Sequence, residues 1–290
     1  MSTTTERGGR YIRGPGALND DPRRFWQLTF TIAKNEFRLR FFGSALGYAW
    51  QLMRPLLLFG VLYIVFTKII KVGEQVPHFP AVLLGDVVLM TFFGESTMGS
   101  VRSVVDREAL VRKIQFPRLA IPLSIVLTSM FNLGMNLVVV AIFALAQGVR
   151  PHVGLLVAPL VLILLISLAA GFAMLLSSLF VRFRDLQPIW EVVNQILFYA
   201  CPVIYPIQRL TEKHRILGLP EHTFMHIYMC NPLAVVLVQF CHSVMGAGPS
   251  AASAAGGWAW MAIPLSLTVV ILALGFTVFH FSARHIAEDI

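Results

Sequence analysis

Charge is scarce in this chain of 290 residues: 13% of them are Asp, Glu, Lys or Arg, against roughly 25% in an average soluble domain. With 57% of residues hydrophobic and a mean hydropathy of +0.73, the composition excludes an ordinary soluble domain. Catalytic signatures are missing too. No GxxxxGK[ST] occurs and no lysine is followed by Ser or Thr, so there is no phosphate-cradling P-loop. HExxH, the GxSxG elbow and a DxD-like acidic pair are also absent, which speaks against zinc proteolysis, acyl transfer and metal-assisted sugar transfer. Three cysteines (Cys201, Cys230, Cys241) make neither a CxxC nor an even framework and read as buried thiols. His222 and His226 are four apart beside Glu221, but a metal site there needs a third ligand. The opening MSTTTERGGRYIRGPG has no apolar core and no small-residue cleavage site, so no cleavable signal peptide is expected.

What is present is oil in long runs. Apolar segments lie at about 49–70, 80–105, 119–147, 153–181, 188–206 and 259–281, most of them near or above the ~20 residues needed to cross a bilayer. A barrel would instead show short alternating segments. The expected class is all-α, integral membrane, with six transmembrane helices. The second segment is the weakest, since it carries Asp86, Glu95 and Arg102. Like Glu191 in the fifth, these acids are costly in hydrocarbon and should face protein, water or a partner.

The net charge of +8 is better explained by topology than by nucleic acid. Taking the six spans in order, one side holds seventeen of twenty-three Lys/Arg. These are eight before the first span, Arg54 at its mouth, five across 102–118, Arg182, Arg184 and Arg284. The positive-inside rule then places both termini in the cytoplasm. The chain divides into a cytoplasmic tail with an amphipathic helix (1–48), a transmembrane domain (49–281) and a short C-terminal tail (282–290).

Two shorter segments do not span. Over 24–42, Arg24, Gln27, Thr31, Lys34, Asn35 and Arg38 fall in one wedge roughly 100° wide. Trp26, Phe30, Ala33, Phe37 and Phe41 line another face, and Glu36 and Arg40 are spaced as an i,i+4 pair. A cationic face on an aromatic body suits the membrane–water interface. The stretch 222–245 is apolar but broken at Asn231-Pro232 into pieces too short to span, which predicts a re-entrant hairpin.

Four stretches in order carry a resemblance: "SALGYAWQLMRPLLLFGVLYIVF" (44–66), "LVRKIQFPRLAIPL" (110–123), "RFRDLQPIWEVVNQILFYACPVIYP" (182–206) and "NPLAVVLVQF" (231–240). With the amphipathic helix before them, they resemble the membrane subunit of ABC-2-type exporters of bacterial surface polysaccharides, over residues 24–281. The resemblance implies a non-catalytic half-transporter in the inner membrane that forms a homodimer and recruits two separate ATP-binding cassette subunits. ATP and Mg would sit on those partners and no cofactor on this chain. The implied cargo is a polysaccharide on a polyprenyl diphosphate. Short gate helices are implied between spans five and six.

Within that frame, Arg107, Glu108, Arg112, Lys113 and Phe116 are candidate ATPase-docking residues, with a second contact at Arg182, Arg184 and Asp185. Phe116-Pro117 ends the charged segment, because proline biases the preceding residue away from helix. Arg24, Lys34, Arg38, Arg40 and Arg54 are candidates for holding lipid headgroups or the diphosphate, although attraction to anionic membrane lipids alone also accounts for them. Trp190, Phe198, Tyr199, Tyr205, Asn231 and Pro232 are candidates for the glycan path and gate. Alternatives are an ABC-2 drug or lipid exporter, a proton-coupled carrier using Asp86, Glu95 and Glu191, and a membrane glycan transferase.

Overall fold

The computed structural model describes residues 22–41, 45–71, 77–108, 117–207, 215–216 and 219–282. They are almost wholly helical. Helix α1 (Pro22–Phe41) is followed by α2 (Ala45–Tyr63), which runs on through a π-helical turn to Ile69. Next come α3 (Phe79–Val101), α4 (Ala120–Ala146) and α5 (Ala158–Phe180), the last entered through a 3₁₀ turn at Val153–Val157. A short α6 (Leu186–Ala200) leads to a two-residue antiparallel ladder, Arg215–Ile216 with Leu219–Pro220. Then follow α7 (Glu221–Met229), α8 (Pro232–Met245), α9 (Ala251–Ala254) and α10 (Trp258–Ser282).

Five helices are long and apolar enough to cross a membrane: Ala49–Ile69, Phe79–Val101, Ala120–Ala146, Val153–Phe180 and Trp258–Ser282. The weakest of them by sequence, α3, is the most enclosed. Of its apolar window 83% is buried inside the bundle, against 6% for Ala49–Ile69. Helices α2, α4, α5, α6 and α8 all pack against α3, so Asp86 is buried and Glu95 half-buried in protein instead of facing lipid. That removes the hydrocarbon penalty which made the segment look doubtful.

The fifth expected span, 188–206, is shorter than its hydropathy suggests. Helix α6 has 15 residues, or about 22 Å at 1.5 Å per residue, short of the ~30 Å hydrocarbon core. Pro202 accounts for the stop, since Cys201 before it is extended (φ −86°, ψ 157°) and a residue preceding proline is driven out of the helical region. Cys201–Ile207 continues as turns whose Cys201, Pro202, Val203, Pro206 and Ile207 are buried. The apolar run persists; the helix does not.

The break at Asn231-Pro232 is present, with α7 and α8 bent by 98°. Asn231 caps α8 by accepting from the Leu233 N–H at 3.0 Å, and Pro232 at the first turn needs no donor there. Helix α8 is buried along nearly its whole length and closes at Gly246, which takes the left-handed φ of 63° that favours glycine.

Helix α1 buries the stripe Phe25, Thr29 and Ala33 against α4. The Thr128 hydroxyl donates to the Ala33 carbonyl at 3.4 Å, and Phe131 meets Phe30 and Phe37 edge-on at 5.9 and 5.5 Å. Trp26 and Phe30 stay largely exposed, as do Arg24, Lys34 and Arg38. Glu36 is ion-paired with Arg107. Tertiary packing thus brings Glu36 a cation from outside its own helix, which no spacing within α1 could announce; the i,i+4 pairing with Arg40 falls on a side chain outside the described residues. At this end of the bundle Phe25, Val104, Leu119, Ala120, Ile121, Met174 and Phe279 form a small second core.

Helices α5 and α10 approach closely at Gly171 and Gly275. A Cβ at Gly171 would lie 2.9 Å from the Leu272 Cα, and one at Gly275 would clash with the Gly171 carbonyl oxygen. Small residues let membrane helices make such backbone contact. Gly275→Leu should therefore destabilise the bundle by about 1–3 kcal/mol, the usual cost of overpacking, whereas Gly134→Leu, which faces open space, should cost little. Thermal unfolding of the two variants in detergent measures the difference.

Candidate functional site

Helices α2, α3 and α6 enclose a groove of about 490 Å³. Leu58, Met90, Met98 and Phe198 give it an apolar wall, while Thr91, Glu95, Glu191, Asn194, Gln195 and Tyr199 bring polar groups to it. Glu95 on α3 is held from two sides. Gln51 Nε2 on α2 donates to one carboxylate oxygen at 2.9 Å, and Asn132 Nδ2 on α4 donates to the other at 3.1 Å. Both donors are neutral amides, and among the described residues the Glu95 carboxylate is oriented by hydrogen bonds with no ion pair. Gly94, next to it, lets α6 come close: a Cβ there would sit 2.8 Å from Asn194 Nδ2.

Of the candidate glycan-path residues, the groove gathers Phe198 and Tyr199. Trp190 is turned into the bundle, buried, with its indole N–H donating to Thr97 Oγ1 at 3.0 Å and its ring 5.1 Å from that of Phe172. It anchors α6 to α3 and α5. Tyr205 lies beyond the end of α6, its hydroxyl 3.2 Å from the Ala200 carbonyl oxygen and 3.1 Å from the Tyr228 hydroxyl. Asn231 and Pro232 sit at the α7–α8 break, where Asn231 Nδ2 donates to Cys201 Sγ at 3.3 Å. The start of α8 is thus tied to the end of α6. A separate small cavity, about 40 Å³, lies beside Asp86 and Cys241, where the thiol donates to Asp86 Oδ1 at 3.2 Å. It has room for a water molecule.

The charged candidates collect at the end of the bundle where α3 stops and α4 starts. Arg107 is ion-paired with Glu36 of α1 and its Nη1 donates to Ser124 Oγ of α4 at 3.4 Å. Burial lowers its pKa and that of Arg118 below the usual guanidinium value, because the charged form loses water; both remain cationic at any physiological pH. Arg102 and Asp106 form an exposed i,i+4 pair at 3.5 Å. Glu108 is half-buried, while Arg182, Arg184 and Asp185 are exposed in the turn between α5 and α6. Arg24, Lys34, Arg38 and Arg54 are exposed as well. Arg112, Lys113 and Phe116 lie outside the described residues, as does the Arg40 side chain.

Sequence reading missed Gln51, Asn132 and Tyr228. The first two carried a readable signal, since an amide inside an apolar helix needs a partner as surely as a carboxylate does. His226, noted as half of a histidine pair, instead places its ring 4.0 Å from Trp260.

The clamp on Glu95 yields a double-mutant expectation. Asn132→Leu should cost about 1–3 kcal/mol by leaving a partly buried acceptor unmatched, and adding Glu95→Leu should restore much of the loss, since removing both partners is close to neutral. Unfolding midpoints of the single and double variants in detergent test this.

The family model for the ABC-2 type transporter matches residues 27–241, from α1 into α8. The O-antigen export system permease protein RfbA of Myxococcus xanthus is 27% identical over 186 residues, covering 64% of this chain and 71% of the relative. A protein of the same name from Klebsiella pneumoniae is 26% identical over 216 residues, 74% of this chain and 79% of its own. The match runs through every helix that builds the groove and the charged end, and the chain belongs to the ABC-2 type transporter family as a multi-pass membrane protein.

Proposed function

We propose that this chain is the membrane subunit of an exporter that moves a polyprenyl-diphosphate-linked polysaccharide from the cytoplasmic to the outer leaflet. It works as a homodimer with two separate ATP-binding subunits, which carry ATP and Mg. The chain itself holds no cofactor and catalyses nothing. O-antigen export in the names of its relatives supports the cargo class, and the family supports the transport role.

The observation that carries the reading is the groove between α2, α3 and α6. A sugar polymer offers hydroxyls to hydrogen-bonding groups and apolar ring faces to aromatics. Thr91, Glu95, Asn194, Gln195 and Tyr199 meet both needs on one wall. Beside it, Ile189, Val192, Ile196 and Tyr199 lie exposed on α6 at i, i+3, i+7 and i+10, one stripe of a helix. A second copy laid across that stripe by a two-fold axis would turn two open grooves into one enclosed passage.

In this reading α6 and the buried turn after it make the sixth crossing. Helix α1 lies in the interface, its Arg24, Lys34, Arg38 and Arg40, with Arg54, near headgroups and the lipid diphosphate. Helices α7 and α8 enter from the outer face and return as a gate, with Tyr205, Asn231 and Pro232 at its hinge. Both termini are cytoplasmic, with residues 1–48 and 282–290 flanking the transmembrane domain 49–281. The segment from Arg107 through Glu108, Arg112, Lys113 and Phe116 lies beside the ATP-binding subunit, as do Arg182, Arg184 and Asp185.

Depletion of the protein should leave a lipid-linked polymer on the cytoplasmic face, and normal delivery to the cell surface would refute the assignment. In the assembled complex, Tyr199→Ala should reduce polymer-stimulated ATP hydrolysis severalfold by removing a ring from the path. Wild-type stimulation would take Tyr199 out of it.

A further inference from the structure

One of the cations that the sequence offers for docking is already spent inside the chain. Arg107 sits six residues past the end of α3 at Val101, in the segment that leads toward α4. Its guanidinium spans three elements, pairing with Glu36 on α1 and donating to Ser124 on α4. The Arg107 and Glu36 side chains are only 22% and 20% exposed, whereas Arg102 and Asp106 nearby are 55% and 56% exposed. A group that meets another subunit through charge must be reachable before docking; Arg102 and Asp106 are, and Arg107 faces inward.

The same three elements share apolar contact directly beneath the pair. Val104, three residues before Arg107, is fully buried with Phe25 of α1 and with Leu119, Ala120 and Ile121 at the start of α4. Met174 of α5 and Phe279 of α10 complete that cluster. Hydrophobic contact resists separation but is non-directional, so packing alone would let α1 slide along the segment. A partly buried ion pair contributes little net stability after desolvation, and its best-attested use is to fix register. Glu36–Arg107 supplies the direction that packing lacks.

We infer that Glu36 and Arg107 are positioning residues that clamp α1 to the segment following α3. A push on that segment then moves α1 and the start of α4 as one body, without Arg107 touching the partner that pushes. The inference rests on the exporter reading above. It replaces a docking role for Arg107 by a transmitting one and gives Glu36, which no docking scheme needs, an equal share. Among the described residues, the docking surface that remains is the exposed set of Arg102, Asp106, Arg182, Arg184 and Asp185.

The test uses the full complex with its ATP-binding subunits in proteoliposomes, loaded with the lipid-linked polymer that accumulates on depletion. Three quantities are read: ATP-binding subunit retained on purification, ATP hydrolysed, and polymer transferred per ATP. Glu36→Arg and Arg107→Glu should each lower transfer per ATP at least fivefold while retaining the ATP-binding subunit. The double variant with the charges exchanged should recover at least half of the wild-type ratio. Should a single reversal fail to accumulate in the membrane, Glu36→Gln removes the charge but keeps an acceptor, and should lower the ratio about twofold. Spin labels at Asn35 and Val105 give a readout independent of cargo: one distance throughout the ATP cycle in the wild type, and a second, nucleotide-dependent distance in Glu36→Gln.

Loss of the ATP-binding subunit from Arg107→Glu alone, with no rescue by exchange, would overturn the inference in favour of direct docking. So would an unchanged transfer ratio in Glu36→Gln, or a wild-type label distance that shifts with nucleotide. A wild-type complex that hydrolyses ATP yet transfers no polymer would overturn the exporter reading itself, a separate result.

Discussion

The burial of α3 is the constraint on which the rest of this bundle depends. A helix that carries two carboxylates through an apolar protein must be surrounded, because an ionised or unmatched polar group facing lipid costs several kcal/mol. Five other helices therefore pack on it, and each acid meets a donor from elsewhere in the chain. Asp86 meets Cys241 of α8, and Glu95 meets Gln51 of α2 and Asn132 of α4. These bonds tie helices that are distant in sequence to one axis. The groove lies where α3 is least covered, so the polar side that must be satisfied also furnishes the wall that a polar cargo can use.

Much of this was legible in the chain, to different depths. The apolar runs locate five crossing helices to within a few residues, because length and hydropathy are local properties. Asn231-Pro232 announces the α7–α8 break, since a capping amide before proline specifies a helix start whatever surrounds it. The end of α6 was also available in principle: Pro202 sits inside the apolar run, and its effect on Cys201 is local. Hydropathy averaged over a window passes across a proline without registering it, so the run reads as one unbroken helix.

Pairings were not legible. Glu36 has a cation four residues away on its own helix, but only the folded bundle shows that Arg107, 71 residues further along the chain, pairs with it. Trp190 illustrates the same limit in apolar form. Among four aromatics near one helix, nothing local distinguishes the ring buried on Phe172 and Thr97 from the ring left exposed at Tyr199. Which side of a helix faces the core is set by neighbours that the helix does not contain. The same holds for Gln51 and Asn132, which lie 44 and 37 residues from the carboxylate they serve.

The two ends of the bundle are fastened by different chemistry. At one end an ion pair and a compact apolar cluster hold α1, the segment after α3 and the start of α4. At the other, α7 and α8 are held by hydrogen bonds, two of which involve a thiol: Asn231 to Cys201, Cys241 to Asp86, and Tyr205 to Tyr228. Sulfur is a weak donor and a weak acceptor, and a neutral hydrogen bond is roughly half as strong as one to an ionised group. Separating α7 and α8 from the end of α6 therefore breaks weaker polar contacts than separating α1 from the segment after α3. In the proposed exporter, displacement at the ion-paired end would be relieved as opening at the other, since strain is relieved where the contacts are weakest. The distribution of contacts, more than any single residue, would give such a bundle a direction.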